Sequence, residues 1–155
     1  MKKSIIIAVI LALVLSLAAC GGNTQANSLD VEKTAEALAN GLEFDGQVEK
    51  VLDPERVYDV YGLDKELIVN VSYYIDNSAG SADEIAVFEC TDENAVSSVK
   101  EAVQARVQYL HDQWSGYGPA QVPKIDANAL LTYGNCVVFC ISNNSDNAAS
   151  IIDNM

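Results

Sequence analysis

Apolar residues form a nearly continuous run at the start of the chain, from Ile5 to Ala19, directly after the basic pair Lys2 and Lys3. A basic start, an apolar stretch and small residues at its end are together typical of an export signal. The run holds about 15 residues, which is short of the roughly 20 that a transmembrane helix needs to cross a bilayer. The pattern therefore predicts a signal peptide over residues 1–19.

Beyond residue 30, the apolar positions take up the spacings of helices and strands. Steps of three and four residues predict helices over residues 30–40, 55–61, 92–116 and 144–154. Alternating or continuous apolar runs predict strands over residues 67–76, 84–90, 129–133 and 136–142. Turn residues around Gly80 and at Gly134-Asn135 join these strands into two hairpins. We therefore predict one domain over residues 30–155, a two-layer α+β fold with a four-stranded, mainly antiparallel sheet covered on one face by helices.

The longest predicted helix carries a continuous apolar stripe that should rest on the sheet. Its members recur at helical spacing: Val96, Val99, Val103, Val107, Leu110 and Trp114. We expect the stripe to contact Phe88, Val138 and Val71 on the strands. The polar side chains that should face water instead are Lys100, Glu101 and Gln108.

The apolar run of the leader ends in Leu17-Ala18-Ala19-Cys20-Gly21, which resembles the lipobox of bacterial lipoproteins. The resemblance implies that the Cys20 thiol takes a diacylglyceryl group and that the leader is cut just before it. Two acyl chains hold a protein stably on a membrane, whereas one chain holds it only marginally. Residues 20–29 would then be the lipidated start and a flexible polar tether, with the domain on the extracytoplasmic face of the cell membrane. The alternative is an ordinary secretory cleavage in which Cys20 has no role.

The net negative charge of the predicted mature domain disfavours polyanionic partners. Nine Lys and Arg residues stand against 22 Asp and Glu residues, and loss of Lys2 and Lys3 with the leader leaves seven against 22, a net charge of −15. Nucleic acids and anionic lipid surfaces are polyanions that such a domain repels. We therefore expect no nucleic-acid partner, and membrane contact only through the anchor on Cys20. Solubility explains the acidity, and a cationic ligand such as calcium or a polyamine is the alternative.

Residues 81–142 resemble a family of small Gram-positive lipoproteins that is known only as a domain of unknown function. The resemblance rests on the segment from Ala82 to Phe88, on the long helix that follows and on the hairpin at Tyr133-Gly134-Asn135. A weaker similarity extends the resemblance toward the N-terminus. The family implies the extracytoplasmic compartment and the α+β fold, and it offers no activity to transfer to single residues.

Three cysteines lie in the predicted domain, Cys90, Cys136 and Cys140. Cys136 and Cys140 lie on one predicted strand, about 13 Å apart, whereas a disulfide needs Cα atoms within roughly 7 Å. Cys90 could pair with either of them across neighbouring strands and would leave one thiol free. Three buried thiols that act as small apolar side chains are the favoured interpretation. The same separation of Cys136 and Cys140 disfavours a zinc site.

The other ionisable residues have structural interpretations. His111 is the single histidine, and without a serine or cysteine partner in the sequence pattern we interpret it as a partly exposed helix residue. Asp83 and Glu84 open a strand, and Asp92 and Glu93 open a helix. We interpret the first pair as a solvated strand edge and the second as helix-capping groups.

These observations predict a non-catalytic module of the cell envelope that is anchored through Cys20 and binds a protein, a peptide or a wall component. We expect no cofactor and no metal. The alternative is a thiol-dependent redox or enzymatic protein that uses Cys90, Cys136 or Cys140. The solute receptor of a transporter is disfavoured, because the domain is too small for two lobes that close around a ligand.

Overall fold

The computed structural model describes residues 29–155, so the predicted signal peptide and Cys20 lie outside the described range. The helices in this range are α1 (Val31–Gly41), α2 (Pro54–Tyr61), α3 (Glu93–Tyr117), α4 (Val122–Asp126) and α5 (Ala148–Asp153). The strands are β1 (Val48–Lys50), β2 (Ile68–Asp76), β3 (Glu84–Cys90), β4 (Ala129–Tyr133) and β5 (Cys136–Ile141). Short 3-10 turns precede β2, α4 and α5. None of these helices is long and apolar enough to cross a membrane.

The first three helices begin at aspartates whose side chains accept hydrogen bonds from the first turn. Asp30 accepts from the amide of Lys33, Asp53 from that of Glu55 and Asp92 from that of Ala95. Such caps satisfy amide groups that would otherwise lack a partner at a helix start. The capping role predicted for Asp92 is confirmed.

The strands form one sheet in the order β1-β2-β3-β5-β4, and every neighbouring pair is antiparallel. The four predicted strands and their two hairpins are confirmed. The prediction of four strands misses β1, which pairs from Val48 opposite Asp76 to Lys50 opposite Tyr74. A strand of three residues is too short to show alternation in the sequence, so only its pairing with β2 reveals it.

Helices cover both faces of the sheet, so the prediction of one covered face is wrong. On one face α2, α3 and α4 share a buried cluster with Ala86 and Phe88 of β3. On the other face α1 and α5 share a second cluster with Ile85 and Val87 of the same strand. Successive side chains of a strand point to opposite faces, so the continuous apolar run from Ile85 to Phe88 needs cover on both sides. The domain therefore has three layers.

The predicted stripe on α3 is buried at three central positions, Val99, Val103 and Leu110. Phe88 lies in the same cluster, and Val71 packs against it. The expected contact with Val138 is wrong, because Val138 belongs to the cluster on the opposite face. Of the polar positions expected in water, Glu101 and Gln108 are exposed and Lys100 is half-buried.

Candidate functional site

The three cysteines of the described domain are free and buried. Cys90 lies in the cluster beneath α3, whereas Cys140 lies in the cluster beneath α1. Cys136 alternates with Val137 along β5 and therefore points to the same face as Cys140. Cys90 and Cys136 thus point to opposite faces of the sheet, which explains why Cys90 pairs with neither thiol. Burial raises the pKa of Cys90 to about 11 and that of Cys140 to about 12, and deprotonation of these thiols is therefore unfavourable.

His111 lies on α3 and is partly exposed, as predicted. Its Nε2 atom is 3.8 Å from Asp126 Oδ1, and its Nδ1 atom is 3.6 Å from Asp112 Oδ1. Both distances exceed an ordinary hydrogen bond. Among the described residues, the imidazole of His111 thus lies beside two carboxylates and has no serine or cysteine side chain in hydrogen-bond contact.

Asp83 is the largest departure from the sequence interpretation, because it is fully buried and not part of a solvated edge. Its Oδ1 atom lies 2.6 Å from Lys124 Nζ, and its Oδ2 atom accepts from the backbone amides of Asp45 and Gly46 at 2.8 and 2.9 Å. Lys124 Nζ also lies 2.9 Å from Asp45 Oδ2. A buried charge needs a partner of opposite sign, and Lys124 supplies it from 41 residues away in the sequence.

Glu84 is also buried, on the α3 face of the sheet. Arg106 Nη2 lies 2.8 Å from Glu84 Oε2, and the hydroxyl of Tyr61 donates to Oε1 at 2.5 Å. Burial alone would lower the pKa of Arg106, but the charge of Glu84 outweighs it and raises that pKa above its ordinary value. Burial and then the charge of Glu84 likewise raise the pKa of Tyr61. The prediction of a solvated edge is therefore wrong for Glu84 as well.

The side chain of Tyr73 is buried close to Glu84, Arg106 and Tyr61. The Tyr73 ring stands edge-on to Tyr61 with centroids 6.0 Å apart. Its hydroxyl is buried and has no hydrogen-bond partner among the described residues. Burial and then the nearby charge of Glu84 raise the pKa of Tyr73 well above its ordinary value. The phenol therefore stays protonated.

Arg106 also borders an open groove along the C-terminal half of α3. We call this the α3 groove; it measures about 300 Å³ and is lined by Ala79, Arg106, Tyr109, Leu110, Gln113, Trp114 and Tyr117. Tyr109 and Tyr117 are 55% and 78% exposed, which is unusual for large aromatic side chains. The guanidinium of Arg106 lies over the Tyr109 ring, 5.6 Å from its centroid. The groove thus combines aromatic faces with a cation.

Trp114 is held in a fixed position in the α3 groove. Its ring stands edge-on to Tyr117 with centroids 5.5 Å apart. Gly118 follows closely: a Cβ atom at that position would lie 2.9 Å from a carbon of the Trp114 ring. Because glycine has no Cβ, the backbone can approach the indole closely. The glycine that ends α3 thus also positions an aromatic side chain.

A recess of about 250 Å³ adjoins the α3 groove through Ala79, Arg106, Leu110 and Trp114. Ala79, in the β2–β3 connection, adopts a positive φ of 56°, a conformation in which glycine is commoner. Arg56 of α2 lines the same recess. Arg56 and Arg106 are the only two arginines of the sequence, and the fold places both at this recess. The sequence shows only that the chain has two arginines, whereas their meeting at one recess depends on the fold.

The α3 groove, unlike the buried ionic groups, has the composition of a binding surface. Within residues 29–155, no group of three or more His, Cys, Asp or Glu side chains is placed to hold a metal ion. Three carboxylates are buried among the described residues: Asp83 and Glu84 are each neutralised by a cation, and Asp76 accepts hydrogen bonds from the hydroxyls of Ser78 and Ser81. The α3 groove is open, aromatic and bordered by arginine, and Trp, Tyr and Arg are the side chains that contribute most to binding surfaces.

Comparison with known proteins places the chain in a family without giving it an activity. No curated protein and no solved structure matches it significantly. The profile of the family described as "Domain of unknown function (DUF4358)" matches residues 42–142. Because this match covers well over half of the sequence, the chain belongs to the DUF4358 family.

Proposed function

We propose that this protein is a lipid-anchored, extracytoplasmic binding module of the cell envelope, without catalytic activity of its own. The leader and the segment Leu17-Ala18-Ala19-Cys20 support the anchor and the compartment. The first helix begins at Val31, so the tether predicted over residues 20–29 would hold the domain close to the membrane surface. A protein, a peptide or a wall component would be the partner.

The observation that carries the binding role is the α3 groove. It leaves Tyr109 and Tyr117 largely exposed and holds Trp114 in a defined position beside them. Exposed aromatic side chains cost free energy in water, and a set of them beside an arginine is typical of a surface that a ligand covers.

The thiols give less support to the alternative role in redox or enzymatic chemistry. Reactive cysteines are partly exposed and have low pKa values. Cys90, Cys136 and Cys140 are buried, and burial raises the pKa of each. Their environment is that of core side chains.

The anchor is tested by replacing Cys20. We expect wild-type protein to fractionate with membranes and to incorporate labelled fatty acid, and Cys20→Ser to lose both properties, because no other residue would carry the lipid. Cys90→Ser is the matched control and should keep both. Retention of the label in Cys20→Ser would contradict the anchor and leave the groove unaffected.

The binding role is tested by photo-crosslinking in intact envelopes. A photo-reactive phenylalanine in place of Tyr117 should yield a discrete adduct with an envelope component. The same group in place of Glu101, which is exposed on α3 but does not line the α3 groove, should not. Identical adducts at both positions, or no adduct at Tyr117, would contradict binding in the groove.

A further inference from the structure

We infer that the α3 groove and its recess take a ligand that combines an aromatic or large aliphatic group with a single carboxylate. This inference rests on the proposed binding role and names the chemistry of its ligand. It follows from three features of the site: a fixed aromatic wall, one arginine that is already neutralised and a second arginine that is not.

The aromatic wall would hold the apolar part of the ligand. Trp114 is fixed by Tyr117 and by the backbone at Gly118, and Leu110 extends the apolar surface toward the recess. Offset or edge-on contacts between aromatic rings are favourable beyond the area they bury. Volumes of about 250 and 300 Å³ lie at the lower end for small-molecule sites, which limits the apolar part to about one side chain.

Arg106 is unsuited to bind the carboxylate. Its guanidinium is bound to Glu84 and its side chain is 11% exposed. An anion at Arg106 would have to displace a buried carboxylate or remain beside it, and like charges in close contact are unfavourable. Arg106 therefore forms part of the groove wall, and one face of its guanidinium packs on the ring of Tyr109.

Arg56 is the free cation of this site. It is exposed, and no carboxylate of the described residues lies within 4.0 Å of it in an ion pair. Arginine binds carboxylates through two parallel hydrogen bonds, a geometry that lysine cannot offer. Arg56, which has no ion-pair partner among the described residues, thus lines the recess that continues the aromatic groove.

The carboxylates of the recess do not satisfy Arg56. Asp83 is bound to Lys124 and Glu84 to Arg106. Asp76 is buried, and its two oxygens accept hydrogen bonds from the hydroxyls of Ser78 and Ser81. Three carboxylates and two arginines line the recess, and Lys124, bound to Asp83, adds a third cation, whereas the domain as a whole is strongly negative. A polyanion would be repelled by that overall charge, so a ligand with one carboxylate fits best.

The inference can be tested with Trp114, because it is the only tryptophan in the sequence. The purified full chain would be titrated with N-acetylphenylalanine and, separately, with N-acetylphenylalanine amide, while tryptophan emission is recorded. We expect a saturable change with the acid and about tenfold weaker binding of the amide, which has the same ring and no charge.

Two variants locate the carboxylate. Arg56→Gln should weaken binding of the acid about tenfold and leave binding of the amide unchanged. Lys65→Gln removes the same charge from an exposed position outside the site and should bind both probes like wild type.

A third probe, acetyl-Asp-Phe amide, has its carboxylate in a side chain. Binding equal to that of the acid would indicate an acidic side chain as a sufficient source, and binding equal to that of the neutral amide would indicate a chain terminus.

Equal binding of the acid and its amide, or an Arg56→Gln variant that binds the acid like wild type, would overturn the inference. A lack of any saturable change would overturn it as well. None of these results affects the crosslinking at Tyr117 in envelopes, so failure of the ligand chemistry can be told apart from failure of the binding role.

Discussion

At the scale of single residues, the domain is defined by the way it pairs its buried charges. Asp83 and Lys124 form one buried pair, and Glu84 and Arg106 form another on the neighbouring residue of the same strand end. The two carboxylates belong to separate networks, because Asp83 bonds to Lys124 and to the amides of Asp45 and Gly46, whereas Glu84 bonds to Arg106 and Tyr61. Breaking a buried pair by removing one partner is far more destabilising than losing a pair at the surface.

This difference predicts the outcome of two lysine substitutions. Lys124→Met should lower the free energy of unfolding by about 3–5 kcal/mol, because Asp83 would remain buried without a cation. Lys50→Met removes an ion pair with Glu32 in which both side chains are partly exposed, and it should cost at most about 1 kcal/mol. Urea melts of both variants and wild type measure the two values. Similar losses would mean that Lys124 is not needed to neutralise Asp83.

At the scale of elements, α3 has two apolar sides with different roles. Val99, Val103 and Leu110 face the sheet and are buried. Tyr109 and Tyr117 face the α3 groove and are exposed. A helix that is apolar beyond the stripe it buries is unusual, and the exposed aromatic side chains support the proposed binding role of the α3 groove.

The orientation of α3 can be tested by comparing its buried and solvent-facing sides. Leu110→Ala should cost about 2–5 kcal/mol, because it removes a buried side chain and leaves a cavity. Gln108→Ala should change the free energy of unfolding by no more than about 0.5 kcal/mol, because Gln108 is exposed and bonds only to Asp112 on its own helix. Denaturant melts decide the matter. Equal shifts of the two midpoints would mean that α3 does not pack on the sheet in this orientation.

At the scale of the whole molecule, low pH changes the stability of the fold through two opposing effects. Protonation of surface carboxylates relieves the repulsion within a strongly acidic domain. Protonation of carboxylates that the fold uses has the opposite effect. Hydrogen bonds from Gln121, Lys124 and Asn143 hold the pKa of Asp45 below its ordinary value. Burial alone would raise the pKa of Asp76, but hydrogen bonds from Ser78 and Ser81 outweigh it and lower that pKa.

The direction of these shifts sets the pH dependence of stability. A carboxylate with a lowered pKa in the folded state stabilises the fold above its ordinary pKa of about 3.9 and loses this contribution as the pH falls toward the folded value. We therefore expect urea melts to show falling stability below about pH 4 in about 1 M salt, where long-range repulsion is screened. Asp76→Asn should flatten that fall. Constant or rising stability between about pH 4 and pH 2 would contradict the role of these hydrogen bonds.

Much of the secondary structure could be predicted because its causes are local. The aspartate caps of α1, α2 and α3, the alternation of β2 and the Gly134-Asn135 turn each depend on neighbours within a few residues. The three-residue strand β1 and the five-residue helix α4 escape prediction for the same reason, because short segments show no period.

By itself, the sequence determined the α+β class, the hairpins, the long helix with its buried stripe and the burial of the thiols, because these depend on spacing and side-chain type. Only the tertiary structure decided that helices cover both faces of the sheet and that Asp83 and Glu84 are buried. Lys124 and Arg106, which neutralise them, lie 41 and 22 residues away in the chain. The α3 groove was decided in the same way, because Arg56 and Trp114 meet at one recess only when α2 and α3 pack side by side on the sheet. Contacts between distant segments leave no periodic trace in the chain, so such sites emerge only from the fold.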